Sequence, residues 1–513
     1  MLRIKDLTIV RDHDHYPLIT KLSFSLQRGD KLALIGAEGN GKTALLRVIC
    51  RPEEAASYLR WTGHIDYESK RLGYLAQECP PALRKQTVEE LTLPHLADKE
   101  LYRLADQLFL DSSLLHVPRQ LGDLSGGERM KLRLILLMLD RPDIYILDEP
   151  VNDLDLQGIQ FVEHFIRRAA EPVLFVSHDE TLLERTANKI LHIEQVWRRT
   201  EARITYSGLG FRDYRQQFLQ GIERQNRLAA KKEADYRSQL RRHHEIQDKV
   251  HRAQENISRQ DPSGGRLLKK KMRAVKSTGR RLERQHEAQT KRADREDLVG
   301  FFLADLPGVA EGKEILRLQL PRLMVGETVL ANNVRLTVRG PERIGITGDN
   351  GCGKTTLLRL IEGELSAGNN LKVFFLPQEW QQFCDGQISA LDFLDDQGIA
   401  GLRQEASNLL GSLNFSWEEM NRPAATLSGG QKIKLAYAKL RLTQAEVLIL
   451  DEPSRHLSPL SNPVFRAGLA LYPGAVISVS HDRVFLREVC SRVLRLTSRG
   501  LKEEDPWLYS SRD

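Results

Sequence analysis

Short apolar runs that alternate with helical segments dominate two long stretches of the chain. In the first stretch the runs are KLALIG, IYILDE and VLFVSHD, and in the second they are RIGITG, VLILDE and AVISVS. Continuous apolar runs of this length are typical of strands that are buried on both faces. The pattern therefore predicts a mostly parallel α/β sheet in each stretch.

A different pattern occupies the middle of the chain, where side chains suited to a thin coiled-coil seam recur every seven residues. The sevenfold set is Ile222, Ala229, Tyr236, His243, Val250 and Ile257, with Leu240, Ile246 and Ala253 beside it. DPSGG at 261–265 is expected to break this helix. A second helix is expected from about Leu267 to Glu296, with Met272, Val275, Leu282 and His286 on its seam. Together the two helices predict an antiparallel hairpin.

The two α/β stretches carry the same short motifs in the same order. LSGGE at 124–128 matches LSGGQ at 427–431, and the ILDEP and SHD motifs repeat at the same offset of 303 residues. A fixed offset over three motifs indicates a duplicated domain. The predicted organisation is a first domain at 1–212, a helical linker at 213–300, a second domain at 301–500 and a short tail at 501–513.

Each copy also contains G-x-x-x-x-G-K-T between a predicted strand and a predicted helix. The backbone N–H groups of such a loop, and of the helix that it opens, face phosphates. Lys42 and Lys354 are expected to neutralise the β and γ phosphates, and Thr43 and Thr355 to ligate Mg²⁺. The loop glycines that are candidates for nucleotide binding are Gly36, Gly39, Gly41, Gly348, Gly351 and Gly353.

Acidic residues follow later strands of both copies. Asp148 and Asp451 end apolar runs, where a carboxylate reaches Mg²⁺ at the edge of the sheet. The next residue, Glu149 or Glu452, can polarise an attacking water. The histidines of the SHD motifs are candidate contacts of the γ phosphate and are counted with the glutamates as catalytic: His178 and His481.

LSGG supplies a second anion-binding helix terminus in each copy. Its candidate residues are Ser125, Gly126, Gly127, Ser428, Gly429 and Gly430. The motif lies far along the chain from the P-loop of its own domain, and one domain cannot fold both onto one phosphate. Its expected partner is therefore the nucleotide of the other domain.

The order of motifs in each copy resembles that of the ATP-binding cassette (ABC) superfamily: the P-loop, a glutamine, LSGG, an acidic strand end and SHD. The resemblance covers roughly 1–210 and 313–500. The resemblance implies two P-loop cassettes that close head to tail around two ATP molecules. Site one would combine the first P-loop with Ser428–Gly430, and site two the second P-loop with Ser125–Gly127. It also implies that the glutamines of LAQE and LPQE join the Mg²⁺ ligands. The full set of implied ligands is Thr43, Gln77, Asp148, Thr355, Gln378 and Asp451.

The charge of the chain is concentrated in the linker. Residues 215–295 hold 23 Lys and Arg against 10 Asp and Glu, a net charge of +13, whereas the whole chain carries +7, so that the remainder sums to −6. Near the predicted tip, 259–284 carries ten positive and two negative side chains. A solvated spacer would mix the two signs, so this excess favours contact with phosphates.

The chain has no apolar run long enough to span a membrane, and its start is too polar for a signal peptide. Its five cysteines are scattered and are expected to stay reduced. These features together predict a cytoplasmic location.

Two cassettes joined by a basic helical linker resemble the ABC-F family of ribosome-associated ATPases. DEPVNDLD and YSGLGFRDY are similar to segments of that family. The resemblance implies that the linker, 213–300, contacts ribosomal RNA and the peptidyl-site tRNA, that the protein acts as a monomer, and that neither DNA nor a membrane is a partner.

Further details of the sequence resemble the branch of the ABC-F family that confers antibiotic resistance by ribosomal protection. The first cassette lacks the additional segment that forms an arm in housekeeping members of the family, and no long extension follows the second cassette. Two alternatives remain: a housekeeping or regulatory ABC-F factor that acts on stalled ribosomes, and the ATPase subunit of a transporter.

The second copy departs from the ABC-F pattern. DEPSRHLS has Arg455 and Ser458 where the family prefers Asn and Asp, and Val325 stands where an aromatic residue usually stacks on adenine. The first copy offers His13 or Tyr16 at that position, and its P-loop has Glu38 where Asn is common. Two hydrolytic sites of unequal affinity are therefore expected, with the weaker one at the second P-loop.

Overall fold

The computed structural model describes residues 1–37, 39–196, 201–255, 262–287, 303–368, 371–378, 387–395, 401–413, 415–427, 429–455 and 457–505. The predictions for Glu38, Ile257, Cys384, Ser428 and the end of the linker at 288–300 lie outside these residues. The chain divides into two compact units, one of residues 1–211 with 296–513 and the other of residues 212–295.

The first cassette contains a three-stranded antiparallel sheet, in the order β2-β1-β4, and a six-stranded sheet, in the order β5-β6-β7-β3-β8-β9. The six-stranded sheet is parallel except for β9, which runs antiparallel to β8. The strands are β1 (Leu2–Arg11), β2 (Pro17–Leu26), β3 (Lys31–Ile35), β4 (Leu59–Asp66), β5 (Leu72–Leu75), β6 (Ile144–Asp148), β7 (Val173–Val176), β8 (Lys189–Val196) and β9 (Glu201–Ser207).

Helices cover this sheet and connect its parallel strands. They are α1 (Lys42–Cys50), α2 (Pro52–Ala55), α3 (Pro81–Arg84), α4 (Val88–Thr92), α5 (Lys99–Gln107), α6 (Gly126–Leu139), α7 (Leu156–Arg168) and α8 (Glu180–Thr186), with 3₁₀ turns at Leu93–His95, Ser112–His116 and Leu121–Asp123. The core lies where both sheets and α1 bury their apolar faces against one another.

The middle unit is built from two long helices, α9 (Phe211–Glu255) and α10 (Pro262–Glu287). A helix of the length of α9 spans about 68 Å, because each residue adds about 1.5 Å. The predicted hairpin packing is confirmed in part, because Nε2 of His243 lies 2.8 Å from the carbonyl oxygen of Val275. Between 233 and 250, the half-buried positions of α9 alternate three and four apart: Glu233, Tyr236, Leu240, His243, Gln247 and Val250.

Two details of the linker prediction are wrong. Ile246 is 52% exposed. Ala253 is exposed as well, whereas Gln247 is half-buried and occupies a position on the seam. The seam is set by the spacing of three and four residues and not by which side chains are apolar. The second helix already begins at Pro262, so that 262–265 of DPSGG belong to its first turns. Proline is favoured at the first position of a helix, where its missing N–H is not needed.

The second cassette repeats the plan of the first. Its six-stranded sheet has the order β13-β14-β15-β12-β16-β17, and a two-stranded sheet pairs β10 with β11. The strands are β10 (Glu314–Val325), β11 (Thr328–Arg339), β12 (Arg343–Gly348), β13 (Val373–Leu376), β14 (Val447–Asp451), β15 (Ala475–Val479), β16 (Arg492–Thr497) and β17 (Gly500–Glu504).

The helices of the second cassette are α11 (Lys354–Gly368), α12 (Ala390–Leu394), α13 (Leu402–Ser412), α14 (Trp417–Asn421), α15 (Gly429–Thr443), α16 (Asn462–Ala470) and α17 (Arg483–Glu488), with a 3₁₀ turn at Ala424–Thr426. All six apolar runs singled out in the sequence form strands of the parallel sheets, as predicted. In the part of the chain that the structure describes, no helix is both long enough and apolar enough to cross a bilayer.

Candidate nucleotide sites

The order of the strands brings the predicted motifs to one edge of each sheet. In the first cassette, Asp148 at the end of β6 pairs with Val176 at the end of β7, and Val176 also pairs with Leu34 of β3. The P-loop follows β3, and the SHD motif follows β7. Since the carboxyl ends of parallel strands lie at the same edge, the loop, the carboxylates and the histidine converge there.

The glycine before each P-loop lysine is required by the backbone and by a close neighbour. Gly41 and Gly353 have φ of 92° and 98°. A Cβ atom at Gly353 would lie 2.8 Å from a methyl group of Leu330, which belongs to β11. The amino group of Lys354 donates hydrogen bonds to the carbonyl oxygens of Gly348 (2.9 Å) and Asp349 (3.0 Å). The first loop holds its lysine in the same way, with Lys42 bonded to two carbonyl groups.

Buried carboxylates lie beside the P-loops. In the second cassette, the hydroxyl of Thr355 donates a 2.7 Å hydrogen bond to Asp451. In the first, Asp148 is 1% exposed, and neither of its carboxylate oxygens has a partner in good hydrogen-bond geometry among the described residues. Burial, and then the charge of Glu149, raise the pKa of Asp148 to about 6, although the nearby Thr43 hydroxyl opposes the shift. Buried carboxylates next to a hydroxyl-bearing loop fit a hard divalent cation such as Mg²⁺.

The glutamate after each aspartate has an unusual backbone and a histidine beside it. Glu149 and Glu452 have φ of 52° and 49°, a conformation that non-glycine residues rarely adopt. In the first cassette, Nε2 of His178 lies 3.2 Å from Oε1 of Glu149. In the second, Nε2 of His481 lies 3.8 Å from Oε1 of Glu452. In both cassettes the backbone N–H of the histidine donates to the other carboxylate oxygen at 3.3 Å.

The electrostatics of Glu452 and His481 suit proton transfer near neutral pH. Burial raises the pKa of Glu452 to about 7, although the backbone N–H of His481 opposes the shift. Burial, together with the charge of Lys354, lowers the pKa of His481 to about 4. The arrangement is thus a neutral imidazole next to a carboxyl group that can accept a proton at the pH of the cell.

A cavity of about 630 Å³ lies between the two cassettes and contains the residues predicted for site two. From the first cassette its lining includes Ser125, Gly126 and Gly127, and also Glu149 and His178, which were predicted for site one. From the second it is lined by residues that include Gly351, Gly353, Lys354, Thr355, Gln378, Asp451, Glu452 and His481. Volumes of this size are usual for small-molecule sites. The signature segment of one cassette therefore faces the P-loop of the other.

Three residues at this cavity were not assigned a role from the sequence. Asn350 of the second P-loop donates a hydrogen bond to the backbone carbonyl of Asp153 in the first cassette. Arg455 lies 3.4 Å from the Asp153 carboxylate. The sequence singled out Arg455 only as a departure from the family pattern, and nothing local in the sequence connects Asp153 with either partner. These contacts join the cassettes directly beside the cavity.

The described residues of site one lie in both cassettes. Nδ1 of His178 lies 2.6 Å from the carbonyl oxygen of Leu457, which places the first SHD motif against the second cassette. Gln77 follows β5 and is exposed. Gly429 and Gly430 open α15, whereas Ser428 lies outside the described residues. The pairing of the first P-loop with Ser428–Gly430 therefore stays a prediction.

The two signature segments differ in the residue that caps the following helix. The hydroxyl of Ser125 donates a 2.6 Å hydrogen bond to Glu128 and accepts one from the Glu128 N–H at 3.3 Å. The backbone N–H of Ser125 also donates to the Glu128 carboxylate at 2.9 Å, which completes a capping box. In the second copy the equivalent residue, Gln431, donates to Glu419 at 2.6 Å. The first signature thus places a carboxylate on its serine hydroxyl, whereas Ser428 of the second lies outside the described residues.

The predicted adenine positions differ as well. In the first cassette, the Tyr16 hydroxyl donates to Gln195 at 3.2 Å, and the guanidinium carbon of Arg11 lies 5.3 Å from the centre of the tyrosine ring. In the second, Val325 and Leu330 line the cavity, and Val325 is 52% exposed. The second site therefore presents aliphatic side chains at the position where the first cassette has an aromatic ring.

Comparison with known proteins agrees with this geometry. The sequence profile of the ABC transporter family matches residues 19–152 and 331–455. The chain is 30% identical to ribosome protection protein VmlR of Bacillus subtilis (strain 168), over 94% of this chain and 84% of VmlR. It is 25% identical to ABC transporter F family member 2 of Arabidopsis thaliana, over 96% of this chain and 76% of that protein.

Solved structures show the same fold. RNase-L Inhibitor superposes with a TM-score of 0.58 at 17% sequence identity, over 97% of this chain and 90% of that chain. The archaeal ribosome recycling factor aABCE1, in its complex with the ribosomal stalk protein aP1, gives 0.59 at 18% identity, over 97% and 89%.

Proposed function

The chain belongs to the ABC transporter family, with two ATP-binding domains in tandem that make it an ATPase, and from this premise we propose that it is an ABC-F factor that binds the ribosome when closed on ATP and leaves after hydrolysis. The basic hairpin is the part that enters the ribosome, toward the peptidyl-transferase centre and the peptidyl-site tRNA. The names of its relatives support this proposal, since VmlR is a ribosome protection protein and ABC transporter F family member 2 is an ABC-F protein.

A basic surface on the hairpin carries the ribosome proposal. Eight exposed side chains of α10 are positive, and no acidic residue lies between the first and the last of them: Arg266, Lys269, Lys270, Lys271, Arg273, Lys276, Arg280 and Arg281. None of the eight makes an ion pair with another described residue. Exposed cations without protein partners are available to phosphates, and binding of this kind displaces counterions from RNA.

In site two, the residues of both cassettes would hold one ATP. Lys354 and the N–H groups at the start of α11 face the β and γ phosphates, while the start of α6, at Ser125–Gly127, faces them from the other cassette. Because the bound phosphates attract both helix termini, ATP would stabilise the closed arrangement. Cleavage removes the γ phosphate that both cassettes share, and the arrangement is then free to open.

The catalytic roles follow from the same geometry. Glu452 accepts a proton from the attacking water, and the backbone N–H of His481 keeps the carboxylate in place. Glu149 and His178 have these roles in site one. Mg²⁺ would be held by Thr355, Gln378 and Asp451, or by their counterparts in the first cassette, and would neutralise phosphate charge as it develops.

The first test is co-sedimentation with ribosomes of a chain that carries both Glu149→Gln and Glu452→Gln. Loss of the two proton acceptors should lower hydrolysis by about a hundredfold or more. The protein would then stay closed on ATP and sediment with ribosomes. If the variant remains in the supernatant at low salt with ATP present, the ribosome proposal fails.

The second test addresses the hairpin. Lys269→Gln, Lys270→Gln and Lys271→Gln in that trapped chain should weaken ribosome binding. They should also lower the dependence of log K on log salt by about 2 to 3, because three phosphate contacts are lost. The matched control replaces three exposed lysines of the first cassette, Lys5, Lys85 and Lys99, by Gln and should leave both quantities unchanged. Equal effects of the two triple variants would contradict a specific role of the hairpin.

We further propose that the protein protects the ribosome against antibiotics that bind near the peptidyl-transferase centre. Expression in a susceptible host should raise the inhibitory concentration of at least one such drug class. The rise should disappear with the three lysine substitutions in α10. Ribosome binding without any change in susceptibility would instead favour a housekeeping or regulatory translation factor.

A further inference from the structure

A set of buried ion pairs joins the two cassettes away from the nucleotide cavity. Arg466 of α16 binds Glu180 of α8 through two hydrogen bonds, of 2.5 and 3.1 Å, and both side chains are 3% exposed. Arg483 of α17 binds Glu163 of α7, and these side chains are 7% and 8% exposed. Each bond crosses from one cassette to the other.

Each of these ion pairs is extended by a further charge on the same cassette. Arg185 lies 2.9 Å from Glu163 in the first cassette. Glu488 lies 2.7 Å from Arg466 in the second. The six residues form what is called here the charge-inverted cluster: Glu163, Glu180, Arg185, Arg466, Arg483 and Glu488.

The six positions are related by the duplication. Adding the repeat offset of 303 to Glu163, Glu180 and Arg185 gives Arg466, Arg483 and Glu488. Every equivalent pair therefore has opposite charge. The two ion pairs between the cassettes also cross over. Glu163 binds Arg483, which is the equivalent of Glu180, and Glu180 binds Arg466, which is the equivalent of Glu163.

The exchange decides which cassettes can pair. Two first cassettes brought together in the same way would put Glu163 of one against Glu180 of the other, twice. Two second cassettes would put Arg466 against Arg483, twice. Buried like charges at such distances are strongly unfavourable, and only the pairing of a first with a second cassette satisfies all of them.

Arg483 lies where its own helix opposes its charge. It is the first residue of α17, and the positive end of the helix dipole disfavours a cation there. Its partner Glu163 and the nearby Asp179, at 3.7 Å, both belong to the first cassette. The charge of this arginine is therefore balanced mainly by Asp179 and Glu163 of the opposite cassette, with Asp482 of its own cassette as a further negative charge.

We propose that the charge-inverted cluster is a pairing code that allows each cassette to close only on the opposite cassette and rejects the like cassette of a second copy. Tandem ABC cassettes share one fold and one closing geometry, so like pairing between molecules is the competing assembly. The code works by repulsion in the wrong pairing as much as by attraction in the right one. Because the linker keeps opposite cassettes at high effective concentration, closure then stays within one chain.

The test uses the full chain with charges exchanged. In the acidic-matched chain, Arg466→Glu, Arg483→Glu and Glu488→Arg give the second cassette the residues of the first. In the basic-matched chain, Glu163→Arg, Glu180→Arg and Arg185→Glu do the reverse. Energy transfer between dyes at Tyr102 and Trp417, one exposed residue in each cassette, reports closure. All chains are compared in the nucleotide condition that gives the parental chain its highest transfer.

Each matched chain should lose most of the parental transfer, and an equimolar mixture of the two should form a two-chain complex that neither forms alone. A matched chain that keeps the parental transfer, or a mixture that stays monomeric, overturns the proposal. Reversal of an exposed ion pair, Glu314→Arg with Arg317→Glu, is the matched control and should change nothing.

A chain with all six substitutions inverts the cluster and keeps every ion pair among its six residues, although Asp179 loses Arg483 as a partner. It should close like the parental chain. If the matched chains are not folded, as shown by the lack of a cooperative thermal transition, the result for this chain tests the proposal instead. Loss of transfer in a folded six-position variant would also overturn the proposal. The inference rests on the closure of the cassettes proposed above, but the two can fail separately. If energy transfer in the parental chain is the same with and without ATP, only the proposed ATP dependence of closure is contradicted.

Discussion

At the scale of single residues, both candidate catalytic glutamates combine a strained backbone with a buried carboxyl group. Left-handed φ at a non-glycine residue costs on the order of 1 kcal/mol or more and persists only where the surrounding structure imposes it. Glu149 and Glu452 have it in two independent copies. Such a cost is typical of positions where function, rather than stability, determines the residue.

Burial of Glu452 makes a stability prediction with a definite sign. Its pKa is raised from 4.5 to about 7, so the folded protein holds a proton that the unfolded chain releases. The carboxyl therefore destabilises the fold increasingly as the pH rises above 4.5, and fully above 7. A shift of this size corresponds to about 3 kcal/mol.

Glu452→Gln should thus raise the free energy of unfolding by about 3 kcal/mol at pH 8, with the gain falling toward zero near pH 4.5. Calorimetric unfolding of nucleotide-free protein without divalent cations measures this. Glu418→Gln, an exposed glutamate, should show no such trend. A gain from Glu452→Gln that is equal at all pH values would contradict the prediction.

Glu128 is the second residue for which the structure makes a prediction. Its carboxylate accepts the hydroxyl proton of Ser125, which would otherwise donate to phosphate, and it adds a negative charge beside the nucleotide. Glu128→Gln should tighten ATP binding at site two by about fivefold, equivalent to about 1 kcal/mol. Titration of a fluorescent ATP analogue into a chain with Lys42→Ala isolates this site.

The reciprocal variant is the matched control. Gln431→Glu in a chain with Lys354→Ala should weaken site one by a similar factor. If both substitutions change affinity in the same direction, the charge at this position does not govern phosphate binding.

At the scale of elements, the hairpin is a thin structure whose packing depends on a few contacts. Most of its seam positions are only half-buried. Gly279 of α10 lies against the ring of His243, and a Cβ atom there would be 3.0 Å from Cε1. The glycine costs α10 about 1 kcal/mol of helix propensity relative to alanine, which this close approach explains.

Gly279→Leu should therefore loosen the hairpin, by about 1 to 3 kcal/mol, although leucine is the better helix former. Hydrogen exchange of the amides at 268–281 should become faster. Ala274→Leu, at an exposed position of the same helix, should leave exchange unchanged or slow it. Faster exchange in the control and not in Gly279→Leu would rule out this packing role.

At the scale of the whole molecule, duplication has produced two sites that are similar in plan and different in detail. The first has Tyr16 nearby, where the second has Val325. The second is joined to the first cassette by Asn350 and Arg455, through Asp153. Weaker base stacking in site two should make the two ATPase sites unequal.

We expect a chain with Glu149→Gln, in which only site two hydrolyses ATP, to have a KM about fivefold higher than a chain with Glu452→Gln. Adding Val325→Tyr to the first of these should remove most of the difference. Val329→Tyr, at an exposed position of β11 outside the cavity lining, is the control. Equal KM values in the two single-site chains would contradict the predicted inequality.

The architecture and the positions of the nucleotide motifs can be predicted from the amino-acid sequence alone. Buried parallel strands need apolar side chains on both faces, so that runs such as IYILDE and VLILDE are readable without any tertiary information. Phosphate-binding loops need glycines and a lysine at fixed local spacing, and the motifs repeat at one offset. The basic hairpin was readable too, because seam periodicity and charge are local properties, although Ile246 shows that an apolar identity does not by itself assign a seam position.

Which residues of the two cassettes meet depends on the folded arrangement and cannot be predicted from local sequence. The contacts of Asp153 with Asn350 and Arg455 join positions 197 and 302 residues apart, and no local pattern specifies them. The left-handed glutamates depend on strain imposed by surrounding elements. The opposite charges of Glu163 and Arg466 were present in the aligned repeats, but they acquire meaning only when the fold places each beside the counterpart of its neighbour. Burial and proximity are properties of the folded chain, and the proposed pairing of opposite cassettes depends on both.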